Sequence, residues 1–285
     1  MTQHYRLLIS CPDRVGIVAK VSTFIAEQGG WLTEASYHSD QQSQRFFMRN
    51  EIVTDSLSVD KDTFMARFKV VADEFQMTWR LTDSAQSKRV ALMVSKHSHC
   101  LADVLHRWQS RDLDCEIVAV ISNHTTLSHM ADWYQLPFHH VPMSTAEEKA
   151  RSNEALPELL SALDVDLVVL ARYMQIIPES LCEAYEGRMI NIHHSFLPSF
   201  VGARPYQKAF ERGVKLIGAT CHYVTKDLDE GPIIEQDVVR VSHRYDEQEM
   251  LKKGKDVERN VLAQGLQYHL EDRVMIDANK TIILD

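Results

Sequence analysis

Three residues in the second half of the chain have the chemistry of an acyl-transfer site. Asn191 and His193 stand two apart in the run Met189-Ile190-Asn191-Ile192-His193-His194-Ser195-Phe196-Leu197-Pro198. On an extended chain, residues two apart face the same way. Pro198, and Gly202 beyond it, end regular structure there. An amide and an imidazole held side by side where a strand gives way to a loop can both donate to a developing oxyanion. A second extended run, Gly218 to Thr225, leads to Asp229 in Asp227-Leu228-Asp229-Glu230-Gly231-Pro232. A carboxylate arriving there can orient the imidazole, keep it protonated or bind a water. The same spacing also suits a loop cap and a surface histidine, so spacing alone leaves both readings open.

The elements that must position these residues follow from periodicity. In the first part of the chain, residues 5–10 read as a strand, and Cys11-Pro12-Asp13-Arg14 as a turn with Asp13 as helix N-cap. Val15, Val18, Ala19, Phe24 and Ile25 give helical spacing to about Gln28. Residues 31–38 and 46–53 read as a hairpin, and 61–75 as a helix with Phe64, Phe68, Val71 and Phe75 on one face. Residues 77–81 close a βαββαβ order. The polar stretch Thr82–Lys88 reads as a linker. After it come near-continuous apolar strands at 89–94, 115–122 and 166–171, with a short one at 138–141. They alternate with helices at 101–108, 129–134 and 146–163. Such strands belong to a parallel sheet covered on both faces. Ligands of such sheets lie at the carboxyl ends of the strands, where Ala171-Arg172-Tyr173-Met174 and Asn191-Ile192-His193 both fall. A helix over 246–269 follows, and then a terminal strand pair around Asn279 that would complete the sheet.

Composition narrows the class. The 285 residues are 45% hydrophobic and 25% charged, as in one or two globular domains. No apolar run approaches the ~20 residues that span a bilayer. The start, Met-Thr-Gln-His-Tyr-Arg, lacks the build of a signal peptide, so a cytoplasmic protein with no membrane partner is expected. The five cysteines are scattered without a CxxC, which supports neither a disulfide framework nor a cysteine-rich zinc site. A net charge of −9 argues against nucleic acid as a partner. Fourteen histidines invite a metal. However, neighbours in the pairs His139-His140 and His193-His194 point to opposite faces of a strand, and there is no HExxH. No metal site is expected. A serine hydrolase is also unsupported, since no Gly-x-Ser-x-Gly elbow occurs.

Asn191-Ile192-His193, Ser195, Leu197-Pro198, Gly202, Gly218, His222 and Asp229-Glu230-Gly231-Pro232-Ile233-Ile234 together resemble the formyltransferase family that uses 10-formyltetrahydrofolate. The family pattern is Asn-x-His, then Leu-Pro, then an Asp in a later Asp-x-Gly loop. The βαββαβ half, with Asp13-Arg14-Val15-Gly16-Ile17 at its first turn, resembles an ACT domain, a ferredoxin-like module that pairs and binds amino acids. Two departures sharpen the comparison. The loop Ser95-Lys96-His97-Ser98-His99 lacks the glycines with which the transformylases cradle a substrate phosphate. His194 stands where they usually have proline. The run His193 to Phe200, then Gly202-Ala203 and Pro205-Tyr206, resembles the formyltetrahydrofolate deformylases, which join both domain types and use water as acceptor.

The resemblance implies an α/β architecture: an ACT domain over residues 1–83, a linker at 84–88, and an open, mostly parallel-sheet formyltransferase-like domain over 89–285. It implies hydrolysis of 10-formyltetrahydrofolate to formate and tetrahydrofolate, feeding purine synthesis and balancing one-carbon units. Asn191, His193 and Asp229 would be catalytic. Met174, Gln175, Ile177, Val224, Thr225 and Asp227 would hold the folate, with no prosthetic group. Asp13, Gly16 and Ile17 would meet an amino-acid effector, and ACT pairing would give a dimer or tetramer. The alternatives are formyl transfer to an amine, and a sensor that binds folate or amino acids without turnover.

Overall fold

The computed structural model describes residues 2–199 and 205–284. Phe200, Gly202 and Ala203 of the quoted motif lie outside them. The chain divides into two compact units.

The first unit runs up to Ser87 and takes in residues 271–275 and those from Ile282 on; its leading part alternates strands and helices. It runs β1 (His4–Pro12), α1 (Ile17–Glu27), β2 (Leu32–Asp40), β3 (Arg45–Val53), α2 (Lys61–Glu74) and β4 (Thr78–Asp83). The strands form one antiparallel sheet in the order β2-β3-β1-β4. Alternate residues of β1 and β3, such as Leu7, Ile9, Met48 and Ile52, face one side. They pack there against Val21 and Ile25 of α1 and Phe64 and Phe68 of α2.

The start of α1 differs from the expectation. The chain stays extended through Pro12 and reverses at Gly16, which takes the N-cap position at φ 96°. That left-handed conformation is open to glycine without strain. Asp13 therefore caps nothing. Its carboxylate accepts from Ser39 Oγ, and its N–H donates to the Gln44 carbonyl at 2.9 Å. The later helix start also moves the apolar stripe to Ile17, Val21, Phe24 and Ile25, and leaves Val15 fully exposed.

The second unit runs from Lys88 to Leu270, with residues 276–281 added. It begins with β5 (Lys88–Val94), α3 (His99–Gln109), β6 (Cys115–Ser122), α4 (Ser128–Trp133), β7 (Phe138–His140) and α5 (Ala146–Ala162). There follow β8 (Leu167–Leu170), α6 (Glu179–Ala184), β9 (Met189–His193), α7 (Pro205–Arg212), β10 (Leu216–Tyr223), β11 (Ile233–Arg240) and α8 (Glu247–Leu270). Seven strands form one sheet in the order β11-β10-β9-β8-β5-β6-β7. The five from β9 to β7 are parallel, and β10 runs antiparallel to both its neighbours. Burial of every residue from Val90 to Val94 and from Leu167 to Leu170 is that of strands covered on both faces.

The chain lays β6 and β7 on one side of β5, then returns to lay β8 and β9 on the other. The loops after β5 and β8 therefore diverge at their carboxyl ends, where a doubly wound sheet opens a crevice. Three elements, α6, α7 and β11, were not expected from the sequence. The terminal strands β12 (Val274–Asp277) and β13 (Lys280–Ile283) do pair, but as a two-stranded sheet of their own rather than as the completion of the large one. Among the described residues no helix is long and apolar enough to cross a membrane.

Candidate active site

The crevice at the strand ends is a cleft of about 280 Å³. Three segments line it: the loop after β8, the end of β9, and the turn between β10 and β11. All nine residues expected to act or to hold folate fall on it: Met174, Gln175, Ile177, Asn191, His193, Val224, Thr225, Asp227 and Asp229.

Each segment is fastened by the fold beneath it. After β8 the chain passes through Arg172 at φ 66°, and the Met174 N–H then donates to Ser95 Oγ at 2.9 Å. Ser95, at the end of β5, donates in turn to Asn123 Oδ1 at 2.7 Å. The loop without glycines thus anchors the Met174 segment. Met174 is left exposed and Ile177 half-buried at the cleft. Beyond β9, Thr220 Oγ1 donates to the Ser195 carbonyl at 2.9 Å and accepts from Leu197 N–H at 3.0 Å. Gln236 of β11 donates to the Leu197 carbonyl at 3.1 Å. These bonds hold the chain as it leaves His193.

The turn carrying Asp229 is set by contacts at both ends. The Val224 N–H donates to the Met189 carbonyl at 2.8 Å, and the Tyr223 N–H to the Pro232 carbonyl at 2.9 Å. A Cβ at Gly231 would lie 1.8 Å from the Tyr223 carbonyl oxygen, so only glycine lets the turn close here. Asp229 itself sits at φ 58°, a left-handed conformation that Asp tolerates better than most residues.

The three candidate catalytic groups converge. Asp229 Oδ1 lies 3.2 Å from His193 Nδ1. That hydrogen bond holds the Asp229 carboxyl below its ordinary value, against a smaller upward push from burial. His193 is buried, and its Nε2 has no partner among the described residues. Asn191 Nδ2 lies 3.1 Å from Nε2 of His222, directly across the strand pair. Next to them His194 is pushed down to about 3, first by burial and then by the charge of Arg172, which keeps its imidazole neutral. The arrangement offers a buried imidazole with a free nitrogen, an amide beside it and an ionised carboxylate behind. These are the parts needed to stabilise an oxyanion and steer protons.

Behind the cleft lies a cluster that was not expected from the sequence. Glu258 of α8, 1% exposed, accepts from Tyr206 Oη at 2.6 Å and from His99 Nε2 at 2.7 Å, with Arg172 Nε at 3.4 Å. Burial pushes its carboxyl up, but the His99 bond and Arg172 outweigh this and lower it. The signal was present in the sequence: Glu258 falls among Met250, Val257, Val261 and Leu262 on the buried face of α8. With Cys100 this cluster also brings three metal-ligating atoms within 4.8 Å of one another, a grouping that no motif in the sequence suggested. Glu258 already takes hydrogens from two neighbours beside a guanidinium, and burial pushes the Cys100 thiol well up. That setting suits a hydrogen-bonded carboxylate better than a cation.

In the first unit, Asp13, Gly16 and Ile17 are neighbours in the chain but do not present side chains to one site. Ile17 is buried in the core, and Asp13 is engaged with Ser39.

Residues 88–266 match the formyl transferase family. The chain is 48% identical over 281 residues to the formyltetrahydrofolate deformylase of Bacillus subtilis, covering 98% of this chain and 93% of that protein. It superposes on the crystal structure of a deformylase from Pseudomonas syringae pv. tomato with a TM-score of 0.97, at 58% identity, covering 100% of this chain and 95% of that one. The glycinamide ribonucleotide transformylase 1 of Symbiobacterium toebii matches at 29% identity and a TM-score of 0.66, covering 70% of this chain. The likeness to the deformylases runs through both units, and the chain belongs to the formyltetrahydrofolate deformylase family.

Proposed function

We propose that the chain hydrolyses 10-formyltetrahydrofolate to formate and tetrahydrofolate. The observation that carries this reading is the meeting of Asn191, His193 and Asp229 on one cleft in a chain that matches deformylases over nearly its whole length. Folate lies along Met174, Gln175 and Ile177 on one side and Val224, Thr225 and Asp227 on the other. Water attacks the formyl carbon, and the carbonyl electron pair moves to oxygen. His193 donates to that oxyanion from Nε2, and Asn191 from its amide. Asp229 accepts from His193 Nδ1 and serves as counter-ion. Its lowered pKa makes it a better orienting group than a terminal base. Asp229 passes one proton of the attacking water on to N10 as the C–N bond breaks, and the second proton leaves with formic acid, which ionises to formate in water.

The expected result is catalytic release of formate from 10-formyltetrahydrofolate in buffer without any amine. Turnover that appears only when an amine is added contradicts hydrolysis. No prosthetic group enters the scheme. The formate would feed purine synthesis, and the reaction would balance the one-carbon pool.

We infer that residues 1–83 form an ACT domain, that 84–88 link it to a catalytic domain over 89–285, and that the ACT domain pairs subunits into a dimer or tetramer. The βαββαβ order, the strand order β2-β3-β1-β4 and the turn at Asp13 to Ile17 support this. An amino acid bound near that turn would regulate a reaction that otherwise drains formyl groups. Backbone groups around Gly16, rather than the Ile17 side chain, would meet it.

A further inference from the structure

An asparagine helps an oxyanion only if its amide presents N–H rather than oxygen to it. The two orientations have nearly the same shape, so a neighbour must choose between them. In this site the neighbour is His222. It lies on β10 directly opposite Asn191 on β9 and is 2% exposed. Its Nδ1 lies 2.9 Å from the Tyr223 carbonyl oxygen. A carbonyl only accepts, so Nδ1 carries the hydrogen, and Nε2 of the neutral ring is left as an acceptor. Nε2 faces the Asn191 amide at 3.1 Å. An acceptor at that place favours the amide nitrogen over the amide oxygen. Asn191 then spends one N–H on His222 and keeps the second N–H of the same nitrogen for the cleft.

We propose that His222 is a positioning residue: its Nε2 turns the Asn191 amide so that an N–H, not Oδ1, meets the reacting carbonyl. The identity of that carbonyl rests on the hydrolysis proposed above. Burial favours the neutral ring, and His193 adds to this, while the Tyr223 bond and Asp229 pull the other way. Asp229 Oδ1 stands 3.9 Å from Nε2, beyond hydrogen-bond reach, so it does not displace Asn191 as the partner.

A double-mutant cycle tests the assignment, with formate release as the rate and tetrahydrofolate binding as the control. His222→Leu removes the acceptor and should lower kcat by about 10- to 100-fold, approaching the loss typical for one oxyanion donor, with KM nearly unchanged. In an Asn191→Ala background the same change should alter kcat by no more than about twofold, because a residue acting only through Asn191 has nothing left to position. His222→Gln restores an acceptor and should recover most of the rate. An equal loss in both backgrounds, or a Gln variant no better than Leu, overturns the proposal. Nitrogen-15 NMR of histidine-labelled wild-type protein covers the case in which Leu prevents folding. The expected species is the neutral Nδ1–H tautomer, and an Nε2–H tautomer or an imidazolium contradicts the assignment. If wild type releases no formate, the hydrolysis reading fails instead, and the NMR result still decides how His222 meets Asn191.

Discussion

Two carboxylates in the second unit have opposite surroundings. Glu258 is closed off, with Tyr206, His99 and Arg172 all gathered on its two oxygens. Asp229 has one close partner, His193 Nδ1, and faces an open cleft. Both are held ionised, but by different means. Glu258 is ionised because three neighbours outweigh its burial, so its free energy goes into joining α3, α7, α8 and the end of β8. Asp229 is ionised chiefly through one hydrogen bond to a group whose other nitrogen is unpaired. Unused nitrogens do not separate the two, since Nε and Nη1 of Arg172 lack hydrogen-bond partners among the described residues, as Nε2 of His193 does. Access does, because the enclosed carboxylate can only stabilise the structure while the one on the cleft can act on a ligand.

Removing each group should separate these roles. Glu258→Leu leaves Arg172 buried without its counter-charge. Breaking a buried pair from one side typically costs ~3–5 kcal/mol, so the urea midpoint should fall sharply. A midpoint close to wild type would show that Arg172 finds another partner and that the cluster is not structural. Asp229→Asn should lower the urea midpoint much less than Glu258→Leu does, since it weakens one hydrogen bond at the edge of an open cleft and strands no buried charge. A large fall there would erase the contrast between the two carboxylates.

Acid sharpens the same comparison. Both carboxyls titrate below their ordinary values in the folded chain. Stability from such a group is complete above its unfolded value and is lost as pH falls through the folded one. For Asp229 that loss lies below the ordinary 3.8, and for Glu258 below the ordinary 4.5. Urea midpoints followed through that acid range should converge for wild type and Glu258→Gln as Glu258 protonates. Curves that stay parallel would mean Glu258 is already neutral.

The smallest effect expected is at Ser95. Ser95→Ala removes the bond to the Met174 N–H, worth ~1 kcal/mol, and should raise KM about fivefold with kcat little changed. A fall in kcat alone would place Ser95 nearer the chemistry than the cleft wall.

Much of this was legible in the sequence because the signals were local. The apolar strands from Val90, Cys115 and Leu167 announced the sheet, and the two-residue spacing of Asn191 and His193 put both on one side of β9. What escaped depended on long-range partners or weak patterns. Strand β11 is an edge whose only buried residue is Ile234, so it carries no clear alternation. The short helices α6 and α7 have six and eight residues, too few to establish a period. Thr220, Gln236 and Ser95 act through bonds to distant backbone, which no local spacing encodes. Asp13 misled because a good capping residue preceded a glycine that could take the same role three residues later.

The most direct test of the central claim is formate release from 10-formyltetrahydrofolate without an amine, comparing wild type with Asp229→Asn at equal folate occupancy. The account predicts catalytic release by wild type and a loss of at least ~10²-fold in the variant, about 2.7 kcal/mol of transition-state stabilisation. Wild type that binds folate without releasing formate, or a variant that keeps its rate, would contradict it.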